Sequence, residues 1–395
     1  MSRATLPLSR FRVIDLSRVR AGPTSVRQLG DWGADVIKVE LPARVQEDDG
    51  YTGARHAADF QNLHRNKRSL TLDLKAPEGK EILFKLVATA DVVVENFRPD
   101  VKHRLGIDYE AMSAINPRIV YGSISGFGQD GPYAARPGVD QIAQGMSGFM
   151  SVTGHPGQGP VRAGAAIADV SSGLYLALGI LTALLEREVS GRGQWVSTSL
   201  LEAQIGLLDF QAAAWLFDGK VPKQAGNNHP KTIPTGLFDT KDGHINIGSG
   251  NQKRWRALTK AMGAPQLAEK PGFDSPEARR ANRDAVNAAL GEIFVTKTSA
   301  EWVEILNAVG IPCGPVYTID QAFADPQVRH IGIATSIDHP KLGRREIVGQ
   351  PIHMSRTPWE VRSVTPEVGE HTGTILTELG YDEAAIESLR ARHIV

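Results

Sequence analysis

The residue placed most pointedly by the sequence is an aspartate, Asp169. It follows the small apolar run Ala165 to Ala168 and stands just before a helix that the pattern opens near Ser171. A carboxylate at such a junction either caps the helix, a place where Asp is favoured, or sits where the helix N-terminus steadies negative charge on it or on an oxyanion formed beside it. A second set is cationic. Lys75, Arg98 and Arg104 fall near the ends of expected strands, where α/β folds bind ligands and where cations can meet an anion. Taken singly, each is more commonly a solvated surface charge. The common catalytic strings are missing. There is no Walker A loop, Gly122 to Gly128 does not fit Gly-x-Gly-x-x-Gly, and Gly145-Met-Ser-Gly148 is no nucleophile elbow. The histidines lack His-Glu-x-x-His spacing, which argues against a zinc hydrolase, and no metal site is expected.

The elements that must position these residues alternate between strand and helix. Phe11 to Leu16 reads as a buried strand, Pro23 to Trp32 as a helix with Pro in its first turn, and Ala34 to Val39 as a second strand after the breaker Gly33. The pattern recurs with helix Pro77 to Thr89 and strand Asp91 to Glu95, then helix Tyr109 to Ile115 and strand Arg118 to Ile124. Repetition of this kind predicts a doubly wound, Rossmann-like α/β sheet. Gly126 to Gly164 is expected to be loop or broken helix, Ser171 to Glu186 a helix, Gln194 to Thr198 a strand and Leu200 to Phe217 a helix. Polar residues, glycine and proline cluster at Asp218 to Pro234, the best linker. Beyond it come a hairpin, Leu237 to Ile247, and helices near Lys253–Met262, Asn282–Phe294 and Ala300–Val309. The reading is a large α/β domain formed by 1–225 with 321–395, and a smaller α+β domain over 226–320. Helices Thr372–Leu379 and Glu383–Arg390 are expected near the end.

At 395 residues the chain is long for one domain, and its 41% hydrophobic content is enough for a sizeable core. Lys+Arg 44 balances Asp+Glu 44, so broad electrostatic binding to nucleic acid or an anionic membrane is not expected. A single cysteine, Cys313, allows no internal disulfide, and the expected compartment is the reducing cytoplasm. Met1 to Arg12 shows no secretory leader pattern. The most apolar stretch, Leu174 to Leu185, is shorter than the roughly 20 residues of a membrane span and reads as a buried helix.

Five segments carry more when taken in order: Asp15 to Pro23, Asn66-Lys-Arg-Ser69 leading to Leu72-Asp-Leu-Lys75, Val94 to Pro99 with Arg104-Leu-Gly106, Gly164 to Asp169 with Ser172-Gly173, and Gly310 to Pro315. With the closing Gly369-Glu-His-Thr372, the chain resembles the class III CoA-transferases, the formyl-CoA transferase and carnitine CoA-transferase family, essentially end to end. The resemblance implies that Asp169 is the nucleophile. A carboxylate is a poor nucleophile in water but attacks a thioester when held and partly desolvated. It implies CoA contacts at Ala21, Leu72, Lys75, Asn96, Phe97, Arg98, Arg104 and Asp140, with Ala21 small enough to let the pantetheine arm pass. The family's glycine-rich active-site loop has its nearest match in Gly248-Ser249-Gly250, a shorter run that is equally an ordinary strand-to-helix turn. No tightly bound cofactor is implied; CoA and acyl-CoA enter as substrates beside a carboxylic acid. The family fold further implies an interlocked-ring homodimer.

Where formyl-CoA transferase has glutamine this chain has Arg20, whose guanidinium offers a bidentate fork to a carboxylate. It predicts a dicarboxylic substrate, unless Arg20 pairs with Asp140 or another acid to shape the pocket. Two other readings remain. An α-methylacyl-CoA racemase of the same fold needs a His opposite the Asp, yet Val139 stands in Pro137-Gly-Val-Asp140 where the racemase string has that His, and His155 lies in a Gly/Pro-rich loop. A non-catalytic acyl-CoA binding protein would bind without isotope exchange.

Overall fold

The computed structural model describes residues 6–42 and 53–395. They form two compact units.

The larger unit comprises Met1–Phe149, Arg162–Lys220 and Ile331–Val395. Its centre is an all-parallel sheet of β1 (Arg12–Asp15), β2 (Asp35–Glu40), β3 (Lys67–Thr71), β4 (Val92–Glu95), β5 (Val120–Ser125) and β6 (Trp195–Ser199), in the order β3-β2-β1-β4-β5-β6. Ile14 of β1 lies opposite Ile37 on one side and Val93 on the other. The strands are apolar because helices cover both faces. Ile14, Ile37, Leu70, Val93 and Tyr121 pack under helix Pro77–Val87 and the C-terminal helices Thr372–Glu378 and Glu383–Ala391. Val13, Val36, Val92, Val94 and Val120 pack under helices Ala21–Asp31 and Ile167–Ser190. The strand order reverses between β1 and β4, so the open crevice lies at their carboxyl ends.

β3 has no apolar signature, because its polar residues are buried by pairing across the sheet. Lys67 meets Asp15 at 2.8 Å and Arg68 meets Asp35 at 2.8 Å. The Gly369-to-Thr372 string closes against this strand: His371 N–H donates to the Ser69 carbonyl, and Thr372 Oγ1 contacts Thr71 Oγ1 at 3.0 Å. A hairpin of β10 (Ala334–His339) and β11 (Gly343–Val348), absent from the sequence reading, completes this unit.

Helix Ile167–Ser190 corrects two expectations. It begins four residues before Ser171, with Ala166 as its N-cap. It is also not buried all round. Ala168, Leu176, Ile180 and Ala183 face the core, while Leu178 is 62% exposed and Leu185 72% exposed. By length and composition it could cross a membrane, but half of its apolar window is already buried in the fold. The expected helix over Leu200 to Phe217 is two, Leu200–Leu207 and Phe210–Asp218, broken where Asp209 turns left-handed at φ 43°.

The smaller unit comprises Met150–Val161 and Val221–His330. Its antiparallel sheet runs β7 (Thr235–Asp239), β8 (His244–Gly248), β9 (Cys313–Pro315), so the Gly310-to-Pro315 string supplies an edge strand. Helices Gln252–Ala261, Arg283–Phe294 and Ser299–Ala308 pack Trp255, Phe294 and Trp302 against it. Gln224 ties the first stretch to the second by donating to the carbonyls of Thr153 and Gly159.

Candidate active site

Five residues connect β1 to helix Ala21–Asp31, and they are held from several sides. The buried Asp15 accepts Ser17 N–H at 2.9 Å, the Ser17 hydroxyl, and Lys67 Nζ at 2.8 Å. Burial pushes the Asp15 carboxyl up, but Lys67 and Lys38 outweigh it and hold the group below its ordinary value. Lys67, fully buried, is pulled down to about 8 by the same desolvation despite Asp15. Its ammonium also donates to Nδ1 of His64, and burial followed by the charges of Lys67 and Lys38 keeps that imidazole neutral. Lys38 Nζ donates to the Ser17 carbonyl at 3.2 Å. Asn96, just past β4, exchanges two 2.8 Å hydrogen bonds with the backbone of Arg18.

The loop ends at Arg20 and Ala21. Arg20 forms a bidentate pair with Asp59, at 3.0 and 2.8 Å, so the acid it finds within the chain is Asp59 rather than Asp140. Ala21 is buried in the first turn of its helix. That helix crosses helix Ile167–Ser190 at Gly173, where a Cβ would lie 2.5 Å from the Ala21 carbonyl oxygen and 2.8 Å from Thr24 Cβ. Only a glycine admits so close a crossing. It brings Arg20 and Ala21 to the first turn of the second helix, one turn upstream of Gly173, where Asp169 stands.

Asp169 does not cap its helix. It is the third helical residue, and among the described residues its carboxylate accepts no hydrogen bond. The helix end is served instead by Asp140: Oδ1 accepts Ala168 N–H at 2.9 Å, and Oδ2 accepts Gln144 Nε2 at 2.7 Å and Arg162 Nη2 at 3.1 Å. Burial and then the negative charge of Asp140 push Asp169 up to about 6, while Arg20 pulls it the other way. The result is a half-buried carboxylate that is ionised at neutral pH yet more basic than an ordinary aspartate.

Beside the loop, at the carboxyl ends of β1, β2, β3 and β4, lies an open cleft. Leu72, Lys75 and Phe97 line it, together with Arg18, Val19, Lys38 and His64. Lys75 and Arg104 share the adjoining hollow with Lys80. Arg98 is exposed at the N-cap of helix Pro99–Leu105, 3.7 Å from Asp100. Apart from Arg98, the residues that the resemblance assigns to CoA therefore sort into three places. Leu72, Lys75, Phe97 and Arg104 form the cleft and hollow, Ala21 and Asp140 stand by the two helix starts near Asp169, and the carboxamide of Asn96 is engaged by Arg18. Gly248, Ser249 and Gly250 belong to the smaller unit. There they lead from β8 into helix Gln252–Ala261, and a Cβ on Gly250 would lie 1.7 Å from Thr232 Cγ2. Among the described residues no three His, Cys, Asp or Glu side chains gather to hold a metal ion.

Three neighbours were not singled out from the sequence: Asp59, Lys38 and His64. Lys38 alone left a trace, as a cation inside the apolar run Ala34 to Val39.

The chain matches the model of CoA-transferase family III over residues 8–372. It is 38% identical to the succinate--glutarate CoA-transferase of Agrobacterium fabrum, over 94% of this chain and 96% of that one. It is 36% identical to the formyl-CoA:oxalate CoA-transferase of Rhodopseudomonas palustris, over 98% and 96%. A CAIB/BAIF family protein from Brucella suis, 38% identical, superposes with a TM-score of 0.83 over 95% of this chain and all of that one. With matches of this extent in sequence and in fold, the protein belongs to CoA-transferase family III and is a class III CoA-transferase.

Proposed function

We propose that the enzyme moves CoA from an acyl-CoA, succinyl-CoA or one like it, to a carboxylic acid through intermediates on Asp169. An Asp169 oxygen attacks the thioester carbonyl carbon, the C–S bond breaks, and CoA leaves as a thiolate, giving an acyl-aspartyl anhydride. The thiolate attacks the Asp169 carbonyl carbon and expels the donor acid, giving an aspartyl-CoA thioester. The acceptor carboxylate attacks that thioester, releasing the thiolate and forming a second anhydride. Attack of the thiolate on the acceptor's acyl carbon then yields the new acyl-CoA and frees Asp169. Each hard step is split into easier ones. The observation that carries this reading is the Asp169 carboxylate itself: ionised at neutral pH, free among the described residues of donors that would blunt it, and set in the first turn of a helix whose end another acid caps.

Leu72, Lys75, Phe97, Arg98 and Arg104 are proposed to hold CoA along the cleft and hollow, with Ala21 beside the arm. Arg20 is proposed to receive the far carboxylate of a dicarboxylic substrate in exchange for Asp59. The relative named for succinate and glutarate acts on dicarboxylates, which supports that choice. The proposed assembly is an interlocked homodimer, supported by the exposed apolar side chains Leu178, Leu185, Trp215, Leu216 and Phe217. Gly248 to Gly250 are proposed to serve the acyl end of the site. The proposed compartment is the cytoplasm. The racemase reading is weaker, since Val139 cannot shuttle a proton and the charges acting on Asp169 come from Asp140 and Arg20, not from an imidazole.

The test is trapping. Hydroxylamine added with succinyl-CoA should derivatise Asp169, as read by peptide mass spectrometry, and Asp169→Ala should retain CoA binding while losing about 10³-fold or more of transfer. Retention of more than about a tenth of wild-type transfer by that variant would overturn the mechanism.

A further inference from the structure

The connection from β1 to helix Ala21–Asp31 contains a residue in an unfavourable conformation. Val19 has φ 63°. A β-branched side chain rarely enters this left-handed region, and the penalty corresponds to about 5- to 150-fold in a conformational equilibrium. Burial does not repay it, because Val19 is 37% exposed at the edge of the cleft. Something else must hold the turn.

The residue before Val19 is gripped at both ends by one carboxamide. Arg18 N–H donates to Asn96 Oδ1 at 2.8 Å, and Asn96 Nδ2 donates to the Arg18 carbonyl at 2.8 Å. That carbonyl belongs to the peptide plane that sets φ of Val19. Asn96 is in turn fixed to the sheet, because it follows β4, which pairs with β1, and Leu16 N–H donates to the Val94 carbonyl at 2.8 Å. The fit is close: a Cβ on Gly22 would lie 3.4 Å from Asn96 Cγ and 2.2 Å from Ser17 Cβ. The grip needs a donor and an acceptor in one short side chain, which asparagine supplies and aspartate does not. The residue after Val19 is Arg20, whose charge acts on Asp169.

We infer that Asn96 is a positioning residue: by clamping the Arg18 backbone it holds Val19 left-handed and thereby sets Arg20 and Ala21 against Asp169. It acts on transfer through the loop. The link to transfer rests on the reading given under Proposed function; the clamp itself does not.

Asn96→Ala and Asn96→Asp should both speed hydrogen exchange of the Arg18 and Val19 amides by about tenfold or more. They should lower kcat by about 30-fold, with Kd for CoA, measured by calorimetry, within about threefold of wild type. Glycine adopts the left-handed conformation without the penalty. In a Val19→Gly background, Asn96→Ala should therefore cost less than about fivefold in kcat. Unchanged exchange, an equal kcat loss in both backgrounds, or a Kd for CoA weakened about tenfold with kcat preserved would each overturn the proposal. Should the wild-type enzyme transfer CoA to none of the acids tried, it is the transferase reading that falls, and the exchange measurement still decides the clamp. Should Asn96→Ala not fold, the Asn96→Asp variant and the Val19→Gly double variant carry the same comparison.

Discussion

Asp140 caps the helix whose first turn holds Asp169, and its charge adds to burial in making more basic a carboxylate that accepts no hydrogen bond among the described residues. The Asp140 Oδ1 to Ala168 N–H bond of 2.9 Å fixes the first turn, and the Asp140 charge opposes ionisation of its neighbour. Structure and reactivity are set by one carboxylate acting on another.

Asp140→Asn separates these effects. An amide oxygen still accepts the Ala168 N–H, so the helix start should persist, while the bonds from Gln144 and Arg162 to the other oxygen are lost because an amide nitrogen cannot accept them. The repulsion is gone and Arg162 remains, so Asp169 ionises more easily. In wild-type enzyme, activity should fall as pH drops through about 6, where Asp169 takes up its proton. In Asp140→Asn that acid limb should move to lower pH, by about half a unit to one unit. A pH profile of kcat for both proteins checks this; a limb that stays in place assigns it to another group.

Much of the fold is legible because its causes are local. Buried parallel strands show as runs such as Val92-Val-Val-Glu95, and Pro77 and Pro99 sit in the first turns of helices. What is not legible depends on partners far along the chain. Lys67 and Arg68 belong to a strand only because Asp15 and Asp35 neutralise them. The start of helix Ile167–Ser190 is hidden in the sequence because its own N-cap, Ala166, gives no side-chain signal, the cap coming from Asp140. The carboxylate at the centre of the site stands out in sequence, but its surroundings, Arg20 with Asp59 and Asp140 with Arg162, are made by tertiary contact.

Arg20→Gln should raise KM for dicarboxylates about tenfold or more, and KM for a monocarboxylate of equal length much less. The pair with Asp59 is partly exposed, so its loss should cost stability less than about 1 kcal/mol. Equal effects on both acids would make Arg20 a structural residue alone.

The exposed stripe on helix Ile167–Ser190 predicts the assembly state. Sedimentation should give twice the 42.7 kDa chain mass. Leu178→Asp changes a side chain that is 62% exposed in one chain, so folding of a monomer would hardly notice it. In a dimer it places an unpaired charge in an apolar interface and should dissociate or aggregate the protein. A species near 43 kDa in the wild type, or no effect of the substitution, would refute the interface.

Gly173→Ala tests whether the helix crossing places the site. In a free helix this change stabilises by about 1 kcal/mol, since alanine is the better helix former. Here the new methyl would lie 2.5 Å from the Ala21 carbonyl oxygen, 2.8 Å from Thr24 Cβ and 3.0 Å from Thr24 Cγ2. A backbone oxygen cannot swing aside as a flexible side chain does, so the two helices must part. Overpacking of this kind costs roughly 1–3 kcal/mol and outweighs the propensity gain. The parting also moves Arg20 and Ala21 from Asp169, one turn along the same helix, and a displacement of about 1 Å can cost about 100-fold in rate. The expected result is a lower midpoint in urea and a kcat reduced at least tenfold at a temperature where the variant is folded. A variant as stable and as active as wild type would show that the crossing at Gly173 does not fix the geometry of the site.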